Sequence, residues 1–450
     1  MLGACGGDDE VCDPLAQTGC EEGQVCEYVE AGDPACFAPV VVRGQVFDLQ
    51  ADTPVAEAHI VGLDINGAAT SSVAISDANG DYELTIPSMR DAEGAPIPVE
   101  MTLRADAAGY QTFPSGVRQS LPIDTGGAVD QTDALVVQSA LTDIGLLALP
   151  DSNGLGTIHG TVELPADAVG ILVVAESAGG VGHAGIANRD GEYRIFNLPA
   201  DSYTVTGYAR GVNYMSQSVE LAQGGDEAVD LTLDGALPGI VSGDVQIVNG
   251  GGDNPMTSVI LAVESTFDDD WGRGQTVPGL RAPEPGIAGN VVGAYEITGV
   301  PVGNYVVLAA FENDNLVRDP DLSISGTATL HIEVSADTTT VVEGFKVTEA
   351  LEIFSPGAGE PEEITGPPTF SWKDDSSEDE YSVEVFDAFG ELIWQTSIPG
   401  QSGQDPSVDY AGPALIPGMY YQFRATSIKN AVPISRTEDL RGVFYTATTL

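Results

Sequence analysis

Three stretches of the chain open on the same alternation. Val42-Arg43-Gly44-Gln45-Val46, Ile158-His159-Gly160-Thr161-Val162 and Val241-Ser242-Gly243-Asp244-Val245 each set an aliphatic, a glycine and a valine on one face of a strand, with other residues between them. A glycine at the centre of such a strand marks a place where a neighbouring backbone or ring comes close. Downstream of each opening a second pattern recurs. It runs from Asp77-Ala78-Asn79-Gly80-Asp81-Tyr82 to Pro87, from Asn188-Arg189-Asp190-Gly191-Glu192-Tyr193 to Pro199 and Tyr203, and from Gly293-Ala294-Tyr295 to Pro301 and Tyr305. Asn-Gly and Asp-Gly supply the positive φ of a tight hairpin turn. The aromatic that follows begins a strand whose inward positions are tyrosine and aliphatic. In the second and third copies a Pro-x-Asp or Pro-x-Gly turn then leads into another strand.

The last hundred residues follow a different pattern. Pro368-Thr369-Phe370-Ser371-Trp372, Tyr381-Ser382-Val383-Glu384-Val385, Trp394 and the run Pro417-Gly418-Met419-Tyr420-Tyr421-Gln422-Phe423-Arg424-Ala425 read as strands, the last with alternate residues packing inward. Stretches 150–156 and 355–367, rich in Gly, Pro and acids, read as joints or edge segments. The expected division is an N-terminal cysteine-rich segment at 1–39, sandwiches at 40–150, 155–235 and 236–348, the last with a loop insertion at 266–289, and a fourth sandwich at 349–450. No run of 18 uninterrupted apolar residues crosses a bilayer as a helix.

The three repeated segments resemble the carboxypeptidase regulatory-like domain, a transthyretin-like sandwich also grouped with carbohydrate-binding-like folds. The motifs that carry the resemblance are the [VI]-x-G-x-V opening, the turn-and-tyrosine strand and the L-P-x-x-x-Y segment, with Leu103-Arg104-Ala105 and Gly109-Tyr110 fitting a late strand and turn. It covers roughly residues 40–348, and the middle copy is the most complete. The first copy departs from the pattern with an insertion around Arg90–Ile97, and the third lacks the turn aspartate. The final segment resembles a fibronectin type III or related immunoglobulin-like sandwich, with Trp372 as its core-strand tryptophan. The implied fold class is all-β: tandem Ig-like or transthyretin-like sandwiches behind a short disulfide-rich segment. In the regulatory-like family the module accompanies a separate zinc peptidase domain. No zinc-binding motif is present here, so no activity carries over.

Charge and cysteines narrow the setting. Sixty-eight acids against 16 Lys and Arg give a net charge of −52, spread along the whole chain, which repels nucleic acid and suits solubility in a salty medium. All five cysteines fall within the first 36 residues. Leu2-Gly3-Ala4-Cys5 resembles a bacterial lipobox, which implies that Cys5 is lipidated and leaves an even number for disulfides. Cys12, Cys20, Cys26 and Cys36 contain no CxxC pair and have no histidine nearby, so two disulfides in a small knot are expected rather than zinc. Spacing alone selects none of the three possible pairings.

Catalytic constellations are missing from the pattern. His159 and His331 fall in alternating strands, His183 reads as a loop residue, and neither HExxH, GxSxG nor a Gly-rich phosphate loop occurs. Two features suggest binding. The insertion Asp268-Asp269-Asp270-Trp271-Gly272-Arg273 sets an aromatic and an arginine among acids, so Trp271, Arg273, Asp268 and Asp270 form a candidate glycan site. Asp77–Asp81 begins like a calcium loop but lacks the downstream glutamate, and turn chemistry explains it more simply, so no cofactor is expected. The expected function is that of a non-catalytic cell-envelope lipoprotein, held to the outer membrane or surface by lipid alone, with structural, adhesive or protein-interaction roles towards envelope proteins or polysaccharide. The alternative is a carbohydrate-binding surface protein, an accessory to a separate hydrolase.

Overall fold

A computed structural model describes residues 12–165, 170–248, 257–269, 272–284, 291–311, 314–317, 329–348, 350–375, 378–401 and 403–447. Cys5, Asp270 and Trp271 lie outside these residues. The chain is all-β. Among the described residues the helices are three single 3-10 turns, and no helix is long and apolar enough to cross a membrane.

The repeated sequence patterns become one repeated topology. Opening strands Val40–Asp48, Gly156–Thr161 and Gly239–Val248 each pair antiparallel with the tyrosine strand of their copy, Asp81–Ile86, Glu192–Leu198 and Gly293–Val300. Each opening strand also pairs in parallel with closing strands: Ala134–Val137 and Ile144–Leu146 in the first copy, Asp226–Ala228 in the second, Thr339–Val341 and Phe345–Thr348 in the third. A second sheet, built on the pairs His59–Leu63 with Glu100–Asp106, Leu172–Ser177 with Asp201–Ala209 and Thr257–Val263 with Gly303–Phe311, covers each. Valines, isoleucines and leucines from both sheets fill the core between them.

The register explains the sequence signature. Gly44 sits directly opposite Tyr82, Gly160 opposite Tyr193 and Gly243 opposite Tyr295. A Cβ on Gly44 would stand 2.0 Å from the Thr142 carbonyl oxygen, and one on Gly160 2.0 Å from that of Val229. Those carbonyls accept hydrogen bonds from the hydroxyls of Tyr82 at 2.6 Å and Tyr193 at 2.7 Å. The Pro-x-x-x-Tyr signature is likewise a hydrogen bond, since Tyr203 and Tyr305 donate to the carbonyls of Pro199 and Pro301, 2.9 and 2.8 Å away. In the turn Asp77–Asp81 one carboxylate oxygen accepts from the backbone N–H groups of Asn79 and Asp81, and Gly80 takes a φ of 80°. Asn188 does the same for Asp190 and Glu192.

The fourth sandwich buries Trp372 completely, its ring edge-on to Tyr381 at 5.3 Å, with Phe370 stacked on Phe423 at 4.6 Å. Its strand Tyr420–Lys429 departs from the expected alternation, because Gln422 and Arg424 are buried as well as Tyr421, Phe423 and Ala425. The outer face is covered by the segment around Thr437–Arg441, whose carbonyls accept from Gln422 at Asp439 and Arg441 and from Arg424 at Thr437.

The sandwiches pack against one another. One continuous apolar cluster takes Val61 and Ala69 from the first, Leu172, Val174, Ile186 and Tyr208 from the second, and the core of the third. Asn197 ties second to first: its amide donates to the carbonyls of Ala107 and Tyr110 and accepts from Gly109 N–H. Asn213 accepts from Val302 N–H across the second and third. Arg118 donates to the Phe389 carbonyl, Phe389 meets Phe47 edge-on at 5.4 Å, and Arg441 pairs with Glu100, joining the fourth sandwich to the first.

The cysteines pair as Cys12–Cys26 and Cys20–Cys36, the choice that spacing left open. The resulting knot is fastened to the first sandwich through the segment Arg90–Ile97, where the first repeat departs from the other two. Arg90 forms a buried ion pair with Glu27, lies over the Phe37 ring at 4.6 Å and donates to the Ala38 carbonyl. The 266–289 insertion is not wholly loop: Thr276–Ala282 forms a strand antiparallel to Thr257–Val263.

Candidate functional site

A cavity of about 690 Å³ lies where the four sandwiches converge, and each contributes to its wall. From the first come Asn66, Arg104, Asp106 and Tyr110; from the second, His183 and Phe196; from the third, Gln275 and the ends of the Asp268–Arg273 hairpin; from the fourth, Arg424 and Asp439. The late strand Glu100–Asp106 sets Arg104 in the wall. Its guanidinium is held at three points, by Asp106 at 2.8 Å, by the Ala184 carbonyl of the second sandwich at 3.0 Å and by Gln275 of the third. Thr112 donates to the same Asp106 carboxylate at 2.6 Å.

Among the described residues the charges around the cavity balance: three arginines stand with three aspartates. His183, contrary to the loop position expected for it, belongs to the strand Gly182–Ile186, and burial holds its imidazole below the ordinary histidine range, hence neutral at pH 7. Asn66 is the anomaly. It is 5% exposed, and neither atom of its side-chain amide has a hydrogen-bond partner among the described residues. A buried polar atom left so costs roughly 1–3 kcal/mol and marks a place where a polar partner is missing.

Of the residues singled out in the glycan candidate, Asp268 and Arg273 do line this cavity, with Asp268 N–H donating to the Arg273 carbonyl at 2.8 Å across the hairpin. Trp271 and Asp270 fall outside the described residues. Asp77–Asp81 is not part of the wall. Sequence reading missed Asn66, Arg104 and Asn197. For Arg104 a signal was present, an arginine amid the apolar run Met101-Thr102-Leu103-Arg104-Ala105 of a chain with only 16 basic residues. For Asn66 none was, because Asn66-Gly67 reads as an ordinary turn.

No protein-family model matches the chain, and no curated protein matches its sequence. Among solved structures the chain is similar to the TIE protein of Bacillus anthracis, at 12% identity over 87% of this chain and 68% of that one with a TM-score of 0.16. It is similar too to the minor pilin GBS52 of Streptococcus agalactiae, at 12% identity over 45% and 99% with a TM-score of 0.19. For BcpA, the major pilin subunit of Bacillus cereus, identity is 10% over 69% and 99%, with a TM-score of 0.17. At such scores the likeness carries no argument about function.

Proposed function

We infer that the chain is an exported, non-catalytic cell-envelope protein that presents a stiff block of β-sandwiches for structural, adhesive or protein-interaction purposes, tethered through lipid on Cys5. The observation that supports this most is the N-terminal knot. Two disulfides belong to an oxidising compartment, and the buried Arg90–Glu27 pair fixes the segment next to the tether onto the first sandwich. An anchored protein whose first element is rigidly attached transmits its attachment to the whole packed body. The sandwiches at 40–150, 155–235 and 236–348 are regulatory-like and that at 349–450 fibronectin type III-like in this reading, on the motifs quoted above. Polysaccharide or envelope proteins are the partners.

Expression with the native leader, followed by membrane fractionation and intact mass, tests the tether. The wild type is expected in the membrane fraction carrying acyl mass, and Cys5→Ala in the soluble fraction without it. A wild-type protein that is soluble and unacylated rules the tether out. A second reading, carbohydrate binding, is favoured by the cavity.

A further inference from the structure

We propose that the cavity at the meeting point of the four sandwiches binds an uncharged saccharide. This deepens the carbohydrate-binding reading given second above, on which it rests, and stands or falls independently of the lipid tether. Its volume of about 690 Å³ lies within the roughly 300–1,000 Å³ of small-ligand sites, room for about one or two sugar rings.

The electrostatics select for neutrality. A chain with net charge −52 repels anions before they reach any pocket. Inside, among the described residues, three arginines and three aspartates offset one another and His183 is uncharged, so these residues offer no excess charge of either sign to an ionic ligand. What it offers instead are groups that both donate and accept: the amide of Gln275 and the hydroxyl of Thr112, with the buried amide of Asn66 behind the wall. Sugar hydroxyls also donate and accept, and a turn of the buried Asn66 side chain into the cavity would give its amide the partner that it lacks among the described residues. Tyr110 and Phe196 supply aromatic surface for the C–H faces of a ring.

The site is composite, since Arg104 of the first sandwich is held by Ala184 of the second and Gln275 of the third. Binding would therefore depend on the packed arrangement, not on any single sandwich.

The test uses the full chain and titrates glucose, galactose, N-acetylglucosamine, maltose, cellobiose and chitobiose by calorimetry and saturation-transfer NMR, with glucuronic acid as the charged control. At least one neutral sugar is expected to bind saturably with a Kd of about 1 mM or tighter. Glucuronic acid is expected to bind at least about tenfold more weakly than its neutral counterpart. Asn66→Leu should weaken binding about tenfold or more while melting no lower than wild type, because it removes an unpaired amide. Gln275→Leu, entering from a different sandwich, should weaken binding too and guards against a folding defect in the first variant. The proposal is overturned by no saturable binding of any neutral sugar up to about 50 mM, or by affinity unchanged in both variants. Loss of binding in Trp271→Ala with none in the two cavity variants would move the site to the loop and equally overturn it.

Discussion

Tyr193 stands directly across the strand pair from Gly160, and its hydroxyl donates to the Val229 carbonyl at 2.7 Å, in the space that a side chain at position 160 would fill. Glycine, tyrosine and a backbone carbonyl next to a closing strand thus form one device, repeated with Gly44, Tyr82 and Thr142 in the first sandwich. The third copy keeps the pairing of Gly243 with Tyr295 but leaves the tyrosine hydroxyl buried without a hydrogen-bond partner among the described residues.

That difference separates two otherwise identical substitutions. Tyr193→Phe is expected to destabilise the second sandwich by about 1–2 kcal/mol, because the buried Val229 carbonyl loses its donor. Tyr295→Phe removes a hydroxyl with no hydrogen-bond partner among the described residues and should be neutral within about 0.5 kcal/mol or stabilising. Gly160→Ala, with its Cβ driven onto the Val229 oxygen, should cost about 3 kcal/mol or more. Peptide-resolved hydrogen exchange is the appropriate measure, since a chain of several sandwiches need not unfold in one transition. Equal effects of the two Tyr→Phe changes would contradict the device.

The knot and the first sandwich can be uncoupled at one ion pair. Arg90 and Glu27 are both almost wholly buried, and removing one partner strands the other, at a typical cost of about 3–5 kcal/mol. Arg90→Ala should therefore free residues 12–38 to exchange and to be cut by protease, with both disulfides intact and the first sandwich still folded. An unchanged cleavage pattern would mean that the disulfide segment is held by its other contacts.

Acid should stabilise the fold before it destroys it. Burial pushes the carboxyls of Glu27, Asp143, Asp375 and Asp387 above the usual range, outweighing the hydrogen bonds and, for Glu27 and Asp387, the arginines Arg90 and Arg118 that pull the other way. A raised folded-state pKa means that the fold binds the proton more tightly than the unfolded chain. That contribution is full below about pH 4 and is lost as pH rises through the folded values. Repulsion within a net charge of −52 acts in the same direction. Melting temperature is expected to rise as pH falls from neutral to about pH 4 at low ionic strength, and added salt should flatten the difference. Further acidification reverses the trend. Asp48, bonded by the N–H groups of Ala51 and Gln50, and Asp230, bonded by Thr161, have lowered pKa values, and their share disappears as pH falls through them. A monotonic fall in melting temperature from neutral pH to about pH 4 would contradict this account.

What the sequence revealed and what it hid follow from the range of the interactions. The hairpin turns, the close approach of a neighbour at the opening-strand glycines and the buried Trp372 are specified by residues close in the chain or by a strand pattern, and each was readable as such, whereas the identity of that neighbour as the tyrosine came from the register. Packing between sandwiches was not. Leu172, Val174 and Tyr208 look like core residues of the second sandwich, yet they belong to the cluster shared with the third. Arg90 looked like part of an interruption because its partner, Glu27, lies 63 residues away in a segment with a different pattern. The cavity could not be read at all, since it exists only once four separately encoded units are set together.

Asn197 tests that arrangement. It takes a φ of 62°, which asparagine tolerates better than most residues, and its amide makes three hydrogen bonds to the Ala107–Tyr110 turn of the first sandwich. Asn197→Gly keeps the backbone conformation and deletes the bonds, whereas Asn197→Ala also strains the backbone. Glycine should loosen the first–second junction by about 2–3 kcal/mol, and alanine by about 1 kcal/mol more. Hydrogen exchange at residues 107–111 should rise in both variants, and small-angle scattering should show a larger radius of gyration if the junction opens. Because Tyr110 lies in the cavity wall beside this turn, sugar affinity should fall in parallel, by a similar factor in the two variants, if the cavity is the site. Rising exchange with undiminished affinity would show that the sandwiches can part without disturbing ligand binding, and would place that binding within a single sandwich.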